Sequence, residues 1–173
     1  DAGVDSGGII AQRRLAIADD DTTGTLTARL AELAAEALME ALPDWLEGRI
    51  AARPQPDEGA SYAPPVDPAE GEIDWSQGAR TIDRQVRAMS PWPGAFTTFD
   101  GLRLRLLRAH PDPGWRGAAR PGTVIVGPSR ASVVTGDGLL VLDELQLAGR
   151  RPMDAAQFCR GQRAFAECTL GSR

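Results

Sequence analysis

AFTTFDGLRLRLLRA, residues 95–109, is the stretch that decides the fold class. Apolar and polar residues alternate on both sides of Asp100-Gly101, a dipeptide suited to the type I′ turn between antiparallel strands. A hairpin is therefore expected over 95–99 and 102–109. Successive strand residues point to opposite sides, so Leu102, Leu104 and Leu106 share one face while Arg103 and Arg105 share the other, away from the core. Further strands are expected at 123–126, 132–135 and 139–147, with Asp137-Gly138 as a second turn. Short strands at this spacing predict a small barrel or sandwich. MDAAQFCRGQRAF, residues 153–165, follows as a predicted helix.

On the other side of the hairpin, EIDWSQGARTIDRQVRAM (72–89) offers Ser76 as an N-cap. The helix it would start carries Ile82, Val86 and Met89 on one stripe and Arg80, Arg84 and Arg87 on another. SPWPGAF ends it. Trp75 and Trp92 lie at element boundaries, Trp92 between two prolines, and are expected to be packing anchors rather than base-stacking residues.

Residues 53–71 hold five Pro with scattered acids, the composition of an extended, semi-rigid connector and hence a domain boundary. Before it, ADDDTTGT (18–25) starts a second amphipathic helix, with Leu26, Leu30, Leu33, Ala37 and Ala41 along one face. Pro43 is expected to interrupt this helix, and Trp45 and Leu46 to continue its buried side. A calcium loop counted from Asp19 puts Gly24 at position six, but Leu30 stands at position twelve where a bidentate Glu is needed, so calcium is discarded.

Composition narrows the function class. The net charge of −5 divides unevenly: residues 1–74 carry 16 Asp plus Glu against 5 Arg, and residues 75–173 carry 8 against 14. A basic module thus follows an acidic one, and every cation is a guanidinium. No run of about 18 apolar residues or basic-then-apolar start suggests a membrane span or signal peptide, so no membrane partner and a cytoplasmic location are expected. Cys159 and Cys168, with a single His in the chain, suffice for neither a disulfide framework nor a zinc site, and no metal is expected.

Three ordered stretches, DAGVDSGG (1–8), EIDWS (72–76) and RAMSPWPGAF (87–96), resemble the folate-dependent formyltransferases. PWPGA and GRRPM (149–153) are most similar to the branch that formylates methionyl-tRNA, with the sugar N-formyltransferases as the alternative. The resemblance implies the end of a doubly wound α/β folate-binding domain over 1–52, the connector over 53–71, and a mostly β, OB-like barrel with flanking helices over 72–173. It implies 10-formyltetrahydrofolate as formyl donor, a methionyl initiator tRNA as acceptor, and a monomer.

In the family's Asn-His-Asp catalytic set, Asp5 matches the aspartate, while Asp1, Gly3 and Val4 match backbone lining the pterin end of the folate site. The family's Asn, His and Ser-Leu-Leu-Pro stretch belong upstream of Asp5, so the 173-residue chain is expected to be inactive alone. His110, at a strand end in the second domain, does not replace that His. For tRNA, Arg103 and Arg105, the loop pair Arg150 and Arg151, and Arg84 and Arg87 on the helix form three basic groups. Each alone reads as solvated surface, whereas together on a small barrel they suit an RNA backbone. Tyr62-Ala63 is followed by Pro64-Pro65 and not by the Lys usual in the family's connector, which leaves tRNA contacts to the barrel. A freestanding RNA-binding barrel is the non-enzymatic alternative.

Overall fold

The structure, a computed structural model, describes residues 2–112, 114–115, 117–127 and 130–171. They form two compact units, Asp1–Pro65 and Val66–Arg173.

In the first unit, helix α1 spans Thr23–Leu46. The Thr22 hydroxyl accepts from Thr25 N (3.1 Å) and the Thr25 hydroxyl from Thr22 N (2.9 Å), which satisfies two N-terminal amides. Ahead of this box, Asp21 accepts from Ala18 N (2.7 Å), from the Thr25 hydroxyl (3.0 Å) and from Arg29 (2.5 Å). These donors, the Ala18 amide foremost and then Arg29, hold the Asp21 carboxyl below its ordinary value. Pro43 does not interrupt the helix: it lies in the last turn, its own carbonyl still accepts from Glu47 N (3.1 Å), and the chain stays helical to Leu46. Nor do the final residues bury their apolar side, for Leu46 is 74% exposed and Trp45 38%. An antiparallel bridge joins Ile9 and Arg53 through bonds of 2.8 and 2.9 Å.

Among the described residues the second unit has six strands: β1 (Ala95–Phe99), β2 (Leu102–Asp112), β3 (Val124–Val126), β4 (Ala131–Val134), β5 (Leu139–Leu147) and β6 (Met153–Asp154). They run in the antiparallel order β1-β2-β5-β4-β3, with β6 on the far part of β5. Asp100 and Gly101 both have positive φ (50° and 71°), as a type I′ turn requires, and set Phe99 opposite Leu102. Helix α2 (Ala79–Ala88) buries Ile82 and Val86 in the core shared with Leu104, Leu106, Leu140 and Leu145. Ser76 is not its cap. Asp74 accepts from both the amide (2.9 Å) and the hydroxyl (2.6 Å) of Ser76, and Gly78 takes the N-cap position. Three rings, Phe99, Phe158 on α3 (Ala155–Gly161) and Phe165, meet edge to face with centroids 5.0 to 5.9 Å apart.

The expected barrel is an open sheet. Closure would require β1 and β3 to pair, but other segments already occupy their outer edges. Val124 N donates to Cys168 O (3.1 Å) and Leu170 N to Gly122 O (2.9 Å), so residues 168–170 lie along β3. Along β1, Ile73 N donates to Phe96 O (2.8 Å) and Gly171 N reaches Thr98 O (3.4 Å). The tail and the 72–73 segment thus satisfy amides and carbonyls that barrel closure would have used.

Candidate nucleic-acid interface

Alternation along β2 turns Leu104 and Leu106 into the core and leaves Arg103 and Arg105 outside. Arg103 rests its guanidinium over the Phe96 ring, 3.8 Å from the centroid. Arg105 lies between Phe96 on β1 and Gln146 on β5, its cross-strand partners. It donates through Nη2 to the Pro91 carbonyl (3.1 Å) and, at longer range, through Nη1 to Gln146 Oε1 (3.5 Å). Gln146 in turn donates to the Arg150 carbonyl (3.1 Å). One chain of hydrogen bonds therefore ties the 90–94 turn, Arg105 and the loop of Arg150 and Arg151. Between them is a cleft of about 240 Å3 lined by Arg103, Arg105, Gln146, Leu147, Ala148 and Gly149.

Charge pairing separates these arginines from their neighbours. Arg108 further along β2 is 3.3 Å from Glu144, Arg130 3.3 Å from Asp112, and Arg87 3.1 Å from Asp83. Among the described residues, no carboxylate is within ion-pair distance of Arg103, Arg105, Arg150 or Arg151. Arg105 Nε is in addition buried without an acceptor. Two uncompensated guanidinium groups lining the cleft, with two more on the loop next to it, form a local positive field suited to an anionic polymer.

The other predicted residues are placed differently. Arg84 is exposed on α2, and Arg87 is half-buried with its charge already balanced by Asp83, so the helix pair is not equivalent to the arginines of the cleft. Trp75 is 5% exposed and donates Nε1–H to the Thr97 hydroxyl (3.1 Å), as a packing anchor should. Trp92 departs from that expectation, being 63% exposed. The turn directs its ring outward while Gly94 and Ala95 fill the buried positions next to it. His110 pairs with Asp143 (2.9 Å) on the surface of the second unit.

In the first unit Asp5 is exposed and has φ 58°, a left-handed conformation that Asp tolerates better than most side chains. Gln55 holds the turn by donating to the carbonyls of Asp5 (2.8 Å) and Gly7 (2.7 Å). Asp5, Ser6 and Gly8 face Ala52, Pro54 and Gln55 across a cleft of about 630 Å3. Gly3 and Val4 are exposed beside it; Asp1 lies outside the described residues. Among the described residues no group of three or more His, Cys, Asp or Glu side chains could hold a metal ion, and no helix is long and apolar enough to cross a membrane. Cys159 and Cys168 are free, and burial pushes both thiols above their ordinary range.

The residues that sequence reasoning missed are Phe96, Gln146 and Gln55. Phe96 and Gln146 matter because strand register sets them on either side of Arg105, and Gln55 because residues 52–55 fold back on the Asp5 turn. Their own types carry no such signal.

Comparison with known proteins identifies the family of the chain. Residues 65–163 match the family model "Formyl transferase, C-terminal domain". Methionyl-tRNA formyltransferase of Myxococcus xanthus is 42% identical over 164 residues, covering 94% of this chain and 52% of that protein. The enzyme of the same name from Roseiflexus castenholzii is 40% identical over 171 residues, covering 99% and 55%. The chain thus spans about half the length of the curated relatives it matches. Among solved structures, HypX from Aquifex aeolicus in complex with tetrahydrofolic acid superposes with a TM-score of 0.70 at 22% identity, over 94% of this chain and 28% of that one, a likeness of fold. With residues 65–163, more than half its length, under the family model, the chain belongs to the formyltransferase family, and the matching segment is that family's C-terminal domain.

Proposed function

We propose that the protein containing this chain transfers a formyl group from 10-formyltetrahydrofolate to the α-amino group of a methionyl initiator tRNA, and that this chain supplies the tRNA-holding surface. In this scheme residues 72–173 hold the tRNA, residues 53–71 connect, and residues 1–52 complete a folate-binding domain, the whole acting as a cytoplasmic monomer. The amine attacks the formyl carbon, a tetrahedral oxyanion forms, and the bond to the donor nitrogen breaks as that nitrogen takes a proton. The exposed Asp5 carboxylate orients a water and a His that lie outside this chain, and favours the His in its protonated form by opposite charge. Gly3 and Val4 line the pterin end of the donor, with Asp1 next to them.

The observation that carries the proposal is the cleft lined by Arg103 and Arg105, with Arg150 and Arg151 on the exposed loop that follows its lining residue Gly149; among the described residues no carboxylate balances these four charges. Arginine pairs bidentately with phosphate, and each pairing releases condensed counterions. Replacing both Arg150 and Arg151 with Ala in the complete enzyme should raise KM for methionyl-tRNA roughly tenfold or more, the effect of removing one charged hydrogen bond, with little change in kcat. The salt dependence of binding should flatten by about one logarithmic unit for each phosphate that is no longer neutralised. An unchanged KM and salt slope would remove the tRNA-holding role from this cleft.

A further inference from the structure

Among the described residues, Trp92 is the one large aromatic side chain of the second unit that the structure leaves mostly in water, 63% exposed where Trp75 is 5% exposed. A single exposed apolar residue needs no explanation in itself. Its setting is what distinguishes it. The turn that carries it is fastened to the arginine face: Arg105 Nη2 donates to the Pro91 carbonyl (3.1 Å), and Gly94 N donates to Met89 O (2.8 Å). Gly94 has φ +87°, and a Cβ built there would lie 2.7 Å from Arg105 Nε, so the guanidinium lies flat against the turn backbone. Two residues beyond the turn, Phe96 supports the Arg103 guanidinium from one side at 3.8 Å. Arg103 is exposed and has no ion-pair partner among the described residues, which leaves its other planar face accessible.

An outward indole and a ring-backed guanidinium beside a phosphate-binding cleft are the components with which proteins hold unpaired nucleotides: aromatic and guanidinium planes receive bases, and neighbouring cations receive phosphates. We propose that Trp92 is a stacking site for an unpaired nucleobase of the bound tRNA, with Arg103, Arg105 and the 150–151 loop taking the adjoining backbone. This rests on the tRNA-holding role proposed above and adds a base contact to it. A duplex presents no free base face, so the site takes a loop or single-stranded nucleotide.

The test uses the complete enzyme and methionyl-tRNA. Trp92→Ala should raise Kd roughly 5- to 150-fold, the range that removal of one base–aromatic stack gives, and Trp92→Phe should raise it less because a smaller ring remains. Neither change should alter the salt slope of binding, since the same phosphates stay neutralised, whereas the double variant Arg103→Ala, Arg105→Ala should lower it. Tryptophan fluorescence should be quenched when tRNA or poly(U) binds, and that quenching should disappear in Trp92→Phe. If Trp92→Ala binds tRNA as tightly as the parent while the arginine variants weaken, the stacking site is overturned and the tRNA-holding cleft stands. If Trp92→Ala weakens binding but Trp92→Phe keeps the quenching, Trp92 acts through turn structure and stacking is again overturned. If none of the variants changes Kd, both proposals fall.

Discussion

At the scale of single residues, Gly94 joins the fold to the proposed site. Its φ of +87° disfavours any side chain, and a Cβ would press on Arg105, which the turn holds through the Pro91 carbonyl. Gly94→Ala should therefore cost about 1–3 kcal/mol of stability, read as a lower denaturant midpoint with an unchanged m-value. It should also weaken tRNA binding, because Arg105 must leave its seat. An Ala variant as stable as the parent would mean that the turn relaxes without cost. Residue-scale legibility was uneven for a physical reason. Asp100-Gly101 signals its turn through its own conformational preferences. The exposure of Trp92 and the uncompensated charge of Arg105 depend on what other segments place nearby, and no single residue type encodes that. Likewise Asp5 is singled out only by the family resemblance of its stretch, since a lone Asp-Ser-Gly reads as an ordinary turn, and Gln55, which fixes that loop from about 50 positions away, carries no signal at all.

At the scale of elements, periodicity was the dependable guide. Period-two patterning marked the hairpin and the long strand 139–147, and a 3.6-residue stripe marked both longer helices. Sheet closure was not legible, because it depends on which segments take the edges of β1 and β3. Those pairings, Ile73 to Phe96 and Cys168 to Val124, link residues tens of positions apart and have no local signature. The start of α1 provides a test at this scale. Asp21 is held below its ordinary value of 3.8 by Ala18 N and Arg29, so the folded form binds its proton less readily than the unfolded chain does. Its contribution is present above about pH 4 and is lost as the pH falls through the lower folded value. The helical signal at 222 nm should accordingly drop on acidification below that range. Asp21→Asn keeps an acceptor oxygen for the Ala18 amide but cannot titrate, so it should show a smaller drop. Superimposable acid titrations of the two proteins would mean that Asp21 does not stabilise the start of α1.

At the scale of the whole molecule, burial is distributed as unevenly as charge. Among the described residues, all the buried hydrophobic side chains fall between Ile73 and Leu170, and α1 buries none of its 24 residues. Its apolar positions Leu30, Leu33, Leu38 and Leu42 line an open groove together with Ile9 and Ile10. A helix draws most of its stability from packing one face, so α1 lacks the main term that holds a helix together. The second unit combines sheet, helix and aromatic cluster in one core and meets the conditions for cooperative folding. Hydrogen exchange on the 173-residue polypeptide should thus show two classes. Amides of β2 and β5, which pair with each other over residues 104–112 and 139–147, should exchange only through global unfolding. Amides of α1 should exchange orders of magnitude faster, through local opening. The same polypeptide should bind a dye specific for exposed apolar surface, and a chain covering residues 66–173 should bind far less while keeping the cooperative transition. Equal protection of α1 and β5 would mean that the apolar face of α1 is covered in solution, by a second copy or by another part of this chain. A mass measurement under the same conditions would then separate those two cases, because only the first changes the mass of the particle.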